Sequence, residues 1–185
     1  QHRKRLRRII ALEVVQDPAL LQLVRLFAVA EITAFALGAF IGDIHRFRTP
    51  KQLVAYVGLN PRVQLSGQGG YTGSLARHGR KELRALLVEA AQNLLRYDNP
   101  LKNWGWKLII AKGRNVAAVA VARKLTVSCW YLMMGRFTPL QEVGPTLRTK
   151  VTKIVAVLGK QTVTELGYTR LREYEECLHQ QLMNC

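Results

Sequence analysis

The stretch "NVAAVAVARKLTVSCWYLMM", residues 115–134, is apolar on nearly all sides apart from Arg123 and Lys124. Its valines suit a strand, but an unbroken run of this length exceeds a typical strand of about 5–6 residues and favours a helix. A helix that is apolar all round normally lies at the centre of a core. The stretch therefore predicts a helical protein built around residues 115–134.

Helical spacing and helix stop signals extend outward from this segment in both directions. Thr49 and Pro50 are typical of a helix start, and Gly58 of a helix end. Ser74 is expected to cap a helix whose apolar stripe includes Leu83 and Leu87. Helices are predicted over residues 1–15, 19–28, 31–41, 50–57, 75–97, 98–113, 115–134, 147–158 and 169–182.

The predicted fold class is all-α. It comprises a compact helical domain with a Gly-rich loop at residues 59–74, a basic N-terminal helix and a C-terminal helical extension. The predicted boundaries are residues 1–18 for the basic helix, which would end a connecting coiled coil, 19–137 for the helical domain and 138–185 for the extension. "QDP" at residues 16–18 and the Pro- and Gly-containing linker at 135–146 mark the divisions.

The charge of the chain points to a polyanionic partner. Lys and Arg total 28 against 12 Asp and Glu, a formal net charge of +16. Nucleic acid fits such an excess best, while an anionic membrane surface or solubilising charge are alternatives. The cations cluster at residues 3–8 and 77–84. In the first cluster Lys4, Arg5, Arg7 and Arg8 are the weaker candidates, since basic tails bind polyanions without specificity.

Other functional classes find little support in the composition. Three cysteines without CxxC spacing argue for a reducing compartment and against a zinc ribbon. The acidic residues are scattered, so no metal site is predicted, and a helix-capping role is the simpler interpretation of Asp43. The most apolar stretch, residues 26–42, contains Glu31 and is shorter than the ~20 residues of a spanning helix, so it is interpreted as core. No membrane contact is predicted.

The Gly-rich loop allows two interpretations from its residues alone. Its glycines permit backbone angles closed to other residues, and successive N–H groups there can bind an anion. A helix beginning near Ser74 would point its positive end at the loop, with Arg77, Arg80 and Arg84 close by. Ser66 would then be placed to attack a phosphodiester. A plain connector flanked by solvated arginines explains the same residues.

The order of segments around this loop resembles that of a known family. The matching elements are "TA…GDIHRF", "PKQLVAYVGLNP", "SG", "G…RHGRKELRALLVEAA" and "AKGRNVAAVAVARKL". Together they are similar to the C-terminal transposase domain of the insertion-sequence one-ten family, the bridge-RNA-guided recombinases related to pilin-gene invertases. The resemblance covers roughly residues 26–134.

The resemblance implies a DNA transposase whose chemistry is shared between two domains. In that family a RuvC-like domain supplies acidic residues that bind divalent metal, and the C-terminal domain supplies a serine that becomes joined to DNA. The "SG" motif places this serine at Ser66. No cofactor is then expected in this chain, and Mg²⁺ would bind in a RuvC-like domain outside it. The chain alone is expected to bind nucleic acid without completing recombination.

The resemblance also implies DNA and a structured guide RNA as partners, dimers or tetramers on DNA, and a bacterial cytoplasmic location. The nucleic-acid contacts are expected from the loop and the start of the following helix: Arg62, Gly67, Gly69, Gly70, Arg77, Arg80, Lys81 and Arg84. The family commonly has a glycine-containing hairpin before "TA", whereas residues 28–30 here contain none. Two rival functions are a non-catalytic basic nucleic-acid-binding module and an oligomerisation module.

Overall fold

The computed structural model describes residues 1–66, 69–75, 79–141 and 145–183, and only the backbone in the stretches 62–66 and 69–75. The chain forms two compact units. Unit 1 combines Gln1–Gly42 with Gln141–Cys185, and unit 2 is Asp43–Leu140. The three-part division predicted from the sequence stays a prediction.

Unit 1 is a set of packed helices. In chain order they are α1 (His2–Gln16), α2 (Pro18–Leu23), α3 (Glu31–Ile41), α8 (Pro145–Glu165) and α9 (Leu171–Met183). Helix α1 packs against α2, α3 and α8, and α8 packs against α9. Asp17 caps the N-terminus of α2, because its Oδ1 accepts from the backbone N of Ala19 at 2.8 Å. Helix α8 is interrupted at Gly159, whose φ of 77° is not helical.

An ion pair between a half-exposed arginine and a buried carboxylate joins α1 to α3 inside unit 1. Glu31 is only 3% exposed. Its Oε1 accepts from Nε of Arg7 at 2.7 Å and lies 2.6 Å from Nη2 of the same guanidinium. A carboxylate removed from water needs such a partner, since burial of an unpaired charge is costly. Arg7, a candidate for polyanion binding in the sequence, thus has a structural role in the fold.

The turn before α3 contains a strained residue. Ala28 has φ +61°, the left-handed region that favours glycine, while Val29 N donates to Leu26 O at 3.1 Å. This is the segment where the resemblance leads one to expect a glycine-containing hairpin. The backbone therefore forms a tight turn here without glycine.

Unit 2 is built around one long helix. Its elements are a 3-10 helix (Ile44–Arg46), α4 (Pro50–Val57), β1 (Pro61–Ser66), β2 (Gly69–Leu75), α5 (Lys81–Arg96), α6 (Lys102–Lys112) and α7 (Arg114–Met133). Helices α4, α5 and α6 all pack against α7, and α5 also contacts α4 and α6. Half of the 20 residues of α7 are buried, as expected for a central helix.

Helix α7 is also the described helix that is long and apolar enough to cross a membrane by length and composition. A buried core helix meets the same criterion, and more than half of its apolar window is covered in the structure. The contacts with α4, α5 and α6 account for its hydropathy. The absence of membrane contact stays a prediction.

The helical fold class is confirmed, with one correction. The predicted loop at residues 59–74 contains an antiparallel pair of strands, with Ser66 opposite Gly69 and Val63 opposite Thr72. Aromatic and β-branched residues between glycines suit such a pair, and a two-residue connection fits a hairpin. Helix α5 accordingly begins at Lys81, after β2. The prediction that Ser74 caps this helix is wrong, because Ser74 belongs to β2.

We expect Arg7→Met to destabilise the chain by about 3 kcal/mol, because it leaves the Glu31 carboxylate buried without its cation. Urea unfolding followed by circular dichroism measures the change. Arg5→Met, on the exposed side of the same helix, is the matched control and should cost less than about 0.5 kcal/mol. Equal stability of the two variants would show that the ion pair contributes nothing.

Candidate nucleic-acid interface and serine hairpin

The two ends of the hairpin segment meet at a close contact between glycines in unit 2. Helix α4 is capped at its C-terminus by Gly58, which has φ 83°, and Gly79 lies directly against this glycine. A Cβ built on Gly79 would be 2.5 Å from Cα of Gly58 and 2.9 Å from C of Val57, and Gly79 itself has φ +116°. Only glycine fits this position, on both steric and conformational grounds.

Hydrogen bonds from the start of α5 to the end of α4 reinforce this contact. Arg80 N donates to Tyr56 O at 3.2 Å, and Nη1 of Arg84 donates to Gly58 O at 3.2 Å. The last carbonyls of a helix lack partners within the helix and are stabilised by cations. The strands β1 and β2 therefore extend from a closed base.

Cations and aromatic rings cluster at this base. Arg46 lies over the rings of Phe47 and Tyr56, with Cζ 4.6 and 4.7 Å from their centroids. The two rings are 5.2 Å apart. Arg80 places Cζ 5.6 Å from the Tyr56 ring, and its Nε donates to Tyr56 Oη at 3.1 Å. Together with Arg84, these residues are called the base cluster below.

The pKa of Tyr56 reflects the positive charge of the base cluster. Partial burial raises the pKa of Tyr56, but hydrogen bonds from Arg46 and Arg80 outweigh it, so the pKa lies below its ordinary value. An environment that stabilises a phenolate oxygen also stabilises a phosphate oxygen. The base cluster is therefore suited to binding the backbone of a nucleic acid.

The structure places the predicted serine at the far end of the first strand. Ser66 is the last residue of β1 and is paired with Gly69, while Gly70 is paired with Leu65. Arg62 lies in β1. Gly67 and Arg77 lie outside the described residues.

Of the predicted cations, the structure brings Arg80 and Arg84 together at the base. Lys81 is exposed as the first residue of α5. The positive end of the helix does not lie at Ser74 as expected, because α5 starts after β2. The backbone N of its N-cap residue, Arg80, donates to Tyr56 O. Full arginine charges, rather than the helix end near Ser74, supply the potential.

Sequence reasoning missed Arg46 and Tyr56. Both are present in the segments "GDIHRF" and "PKQLVAYVGLNP", which carried the family resemblance, so that motif was the available signal. Their association with Arg80 joins residues 24 or more positions apart, which local spacing does not reveal.

Two other side chains that could take part in a reaction, those of Asp43 and Cys129, have structural roles. Asp43 Oδ1 accepts from His45 N at 2.9 Å and caps the 3-10 helix, as the simpler interpretation predicted. This hydrogen bond lowers the pKa of the exposed Asp43 carboxyl. Complete burial raises the pKa of the Cys129 thiol to about 12, so it stays protonated and is a poor nucleophile.

Comparison with known proteins finds a family that is similar to part of the chain. Residues 22–104 match the family described as "Transposase IS116/IS110/IS902 family", a segment that includes the hairpin and the base cluster. This segment of the chain is therefore similar to a family of transposases. No solved structure matches the chain.

Curated relatives of this chain are named as transposases. The "Transposase for insertion sequence element IS1111A" of Coxiella burnetii is 37% identical over 60% of this chain and 31% of the relative. The "Probable family 20 transposase" of Pseudomonas aeruginosa is 32% identical over 70% of this chain and 39% of the relative. The "Transposase for insertion sequence element IS1328" of Yersinia enterocolitica is 28% identical over 63% and 36%, respectively. The chain thus spans about a third of the length of these relatives.

We expect Gly79→Ala to destabilise unit 2 by at least about 3 kcal/mol, because the new Cβ meets backbone atoms of Val57 and Gly58 that cannot move without opening the base. Thermal unfolding measures the loss. The control is Gly135→Ala, which also has positive φ but open space around it, and which should cost ~1 kcal/mol. Similar losses for both variants would attribute the effect to backbone strain alone.

Proposed function

We propose that this chain is the C-terminal part of a DNA transposase that binds DNA with a guide RNA and supplies Ser66 as nucleophile for strand cleavage and exchange. One observation carries the proposal. The segment that matches the transposase family contains a hairpin whose first strand ends at Ser66 and whose base holds three arginines.

The proposed chemical step is a phosphoryl transfer to serine. The Ser66 hydroxyl loses its proton as Oγ attacks the scissile phosphorus, and a phosphoserine ester forms. The bond from phosphorus to the leaving deoxyribose oxygen breaks, and that oxygen takes up a proton. Attack by a deoxyribose hydroxyl of another strand then reverses the step and frees the serine. The ester conserves the energy of the phosphodiester, so exchange needs no external energy source.

The base cluster would bind phosphates of the DNA backbone away from the cleaved bond, because Ser66 lies at the other end of β1. Arg80 and Arg84 are fixed by contacts with α4, so their charges are positioned before DNA arrives. Arg46 joins them through its two aromatic contacts. Prepositioned cations would orient the DNA backbone for attack by Ser66 without further reorganisation.

The proposal assigns metal chemistry to a domain outside this chain. Within the described residues no three His, Cys, Asp or Glu side chains lie close enough together to hold a metal ion. Divalent metal would be supplied by a RuvC-like domain. Binding of the guide RNA and assembly into dimers or tetramers on DNA also belong to the proposal and rest on the family resemblance.

We expect Arg80→Gln and Arg84→Gln each to weaken duplex binding by the chain and to lower the slope of log K against log salt by about one unit, as for loss of one phosphate contact. Fluorescence anisotropy at several salt concentrations measures the slope. Arg96→Gln, at the opposite end of the same helix and exposed, is the control and should leave the slope nearly unchanged. Equal slopes for Arg80→Gln and Arg96→Gln would argue against a phosphate site at the base.

We expect Ser66→Ala in the full-length transposase to abolish strand exchange, by ~10³-fold or more, and to retain DNA binding, because only the nucleophile is removed. Ser74→Ala, in the partner strand of the same hairpin, is the control and should recombine within about threefold of the parent. Covalent protein–DNA adducts on a nicked substrate provide a second readout. Recombination at normal rates by Ser66→Ala would leave the non-catalytic binding module as the better description.

A further inference from the structure

Unit 2 contains a second concave surface, separate from the base cluster. It is a groove of about 770 Å³ formed by α4, α6, α7 and the segment that follows α7. Small-molecule sites typically measure about 300–1,000 Å³, so the groove is large enough for a nucleotide. Asn60, which lines it, immediately precedes β1, so the groove begins where the chain leaves for the hairpin.

The lining of the groove combines positive charge with aromatic rings. Its cations are Lys51, Arg123 and Lys124, and its aromatic residues are Trp104, Tyr131 and Phe137. Of the described residues that line it, none is Asp or Glu. An occupant of complementary chemistry therefore carries negative charge and also offers a flat aromatic face.

The aromatic residues are held in place by neighbours in unit 2. Lys124 Nζ lies 4.7 Å from the centroid of the Trp104 ring. Tyr131 meets Trp130 edge to face at 5.2 Å. Trp130 is buried, and its Nε1 donates to Phe47 O at 2.9 Å. Rings fixed in this way lose little conformational entropy when a base stacks on them.

The segment that carries Phe137 is also anchored, although its ring is not covered. Arg136 N donates to Tyr131 O at 2.8 Å, and Thr138 Oγ1 donates to Ser128 Oγ at 2.9 Å inside the core. Between these two anchors Phe137 is 78% exposed. Because Phe137 shares the groove lining with Trp104 and Tyr131, it adds to a cluster of rings, and such a cluster is typical of a contact surface.

We propose that this groove binds an unstacked nucleotide of single-stranded nucleic acid, with the base on Trp104, Tyr131 or Phe137 and the phosphates on Lys51, Arg123 and Lys124. Base–aromatic stacking next to a positive groove is how proteins hold single strands. An acidic peptide would satisfy the cations but not the rings, and an apolar peptide the reverse. The inference rests on the proposed function only in that the ligand is a nucleic acid.

The test uses the 185-residue chain and three fluorescent probes: oligo(dT) and oligo(U) of about twelve nucleotides, and a DNA duplex. We expect Phe137→Ala and Trp104→Ala each to weaken single-strand binding by roughly tenfold, and duplex binding by less than about twofold. Tyr97→Ala removes a ring that is 69% exposed but does not line the groove, and it should bind like the parent chain. Circular dichroism confirms that each variant is folded.

Photo-crosslinking with 5-iodouracil in place of one base gives an independent readout. We expect adducts on peptides that contain Trp104, Tyr131 or Phe137. Stronger binding of one oligonucleotide over the other identifies DNA or RNA as the source of the nucleotide. Single-strand affinities of Phe137→Ala and Trp104→Ala that equal that of Tyr97→Ala, or equal losses for single strands and duplex, would overturn the proposal.

The outcome is distinguishable from failure of the proposed function. Arg80→Gln should reduce duplex binding and leave crosslinking in the groove intact. Lys124→Gln should do the reverse, and Lys107→Gln, exposed on α6 outside the groove lining, controls for loss of one charge. Loss of crosslinking in Lys107→Gln equal to that in Lys124→Gln would reduce the groove to general electrostatic attraction and overturn the site.

Discussion

Helix α7 must be covered by other helices, because its buried residues extend along most of its length. Helices α4, α5 and α6 supply this cover. Their packing determines where α4 ends and where α5 begins, and hence where the hairpin base forms. The same packing leaves the groove between α4, α6 and the outer side of α7. Both candidate surfaces of unit 2 thus depend on burial of one apolar helix.

Each of the two surfaces holds at least one cation over an aromatic ring. Arg46 and Arg80 lie over Tyr56 at the base, and Lys124 lies over Trp104 in the groove. An aromatic ring positions a cation without neutralising it, whereas a carboxylate partner would cancel its charge. Arg7 shows the contrast, because its pairing with Glu31 commits it to the fold. The positively charged residues therefore have different roles: Arg7 stabilises the fold, whereas the cations over aromatic rings keep their charge for a ligand.

The helices were predictable from local patterns because their signals lie within a few residues. The apolar run of α7, the stop at Gly58 and the start at Pro50 all act on the backbone nearby. The hairpin was not predicted, because its glycines are equally typical of an irregular loop. Its strands pair residues on opposite sides of a turn, which local patterns do not reveal. The partners of Glu31 and Tyr56 are distant in sequence, and packing alone brings them together.

The contact between Gly58 and Gly79 separates the length of the hairpin from the packing of the helices. The chain leaves the packed helices at Gly58 and returns to them at Gly79, and these two residues touch. The entropy lost when this loop closes depends only weakly on the number of residues between them. Strands could lengthen or shorten by whole residue pairs while α4 and α5 keep their places. The contact at the base is thus compatible with hairpins of different lengths on the same packing of α4 and α5.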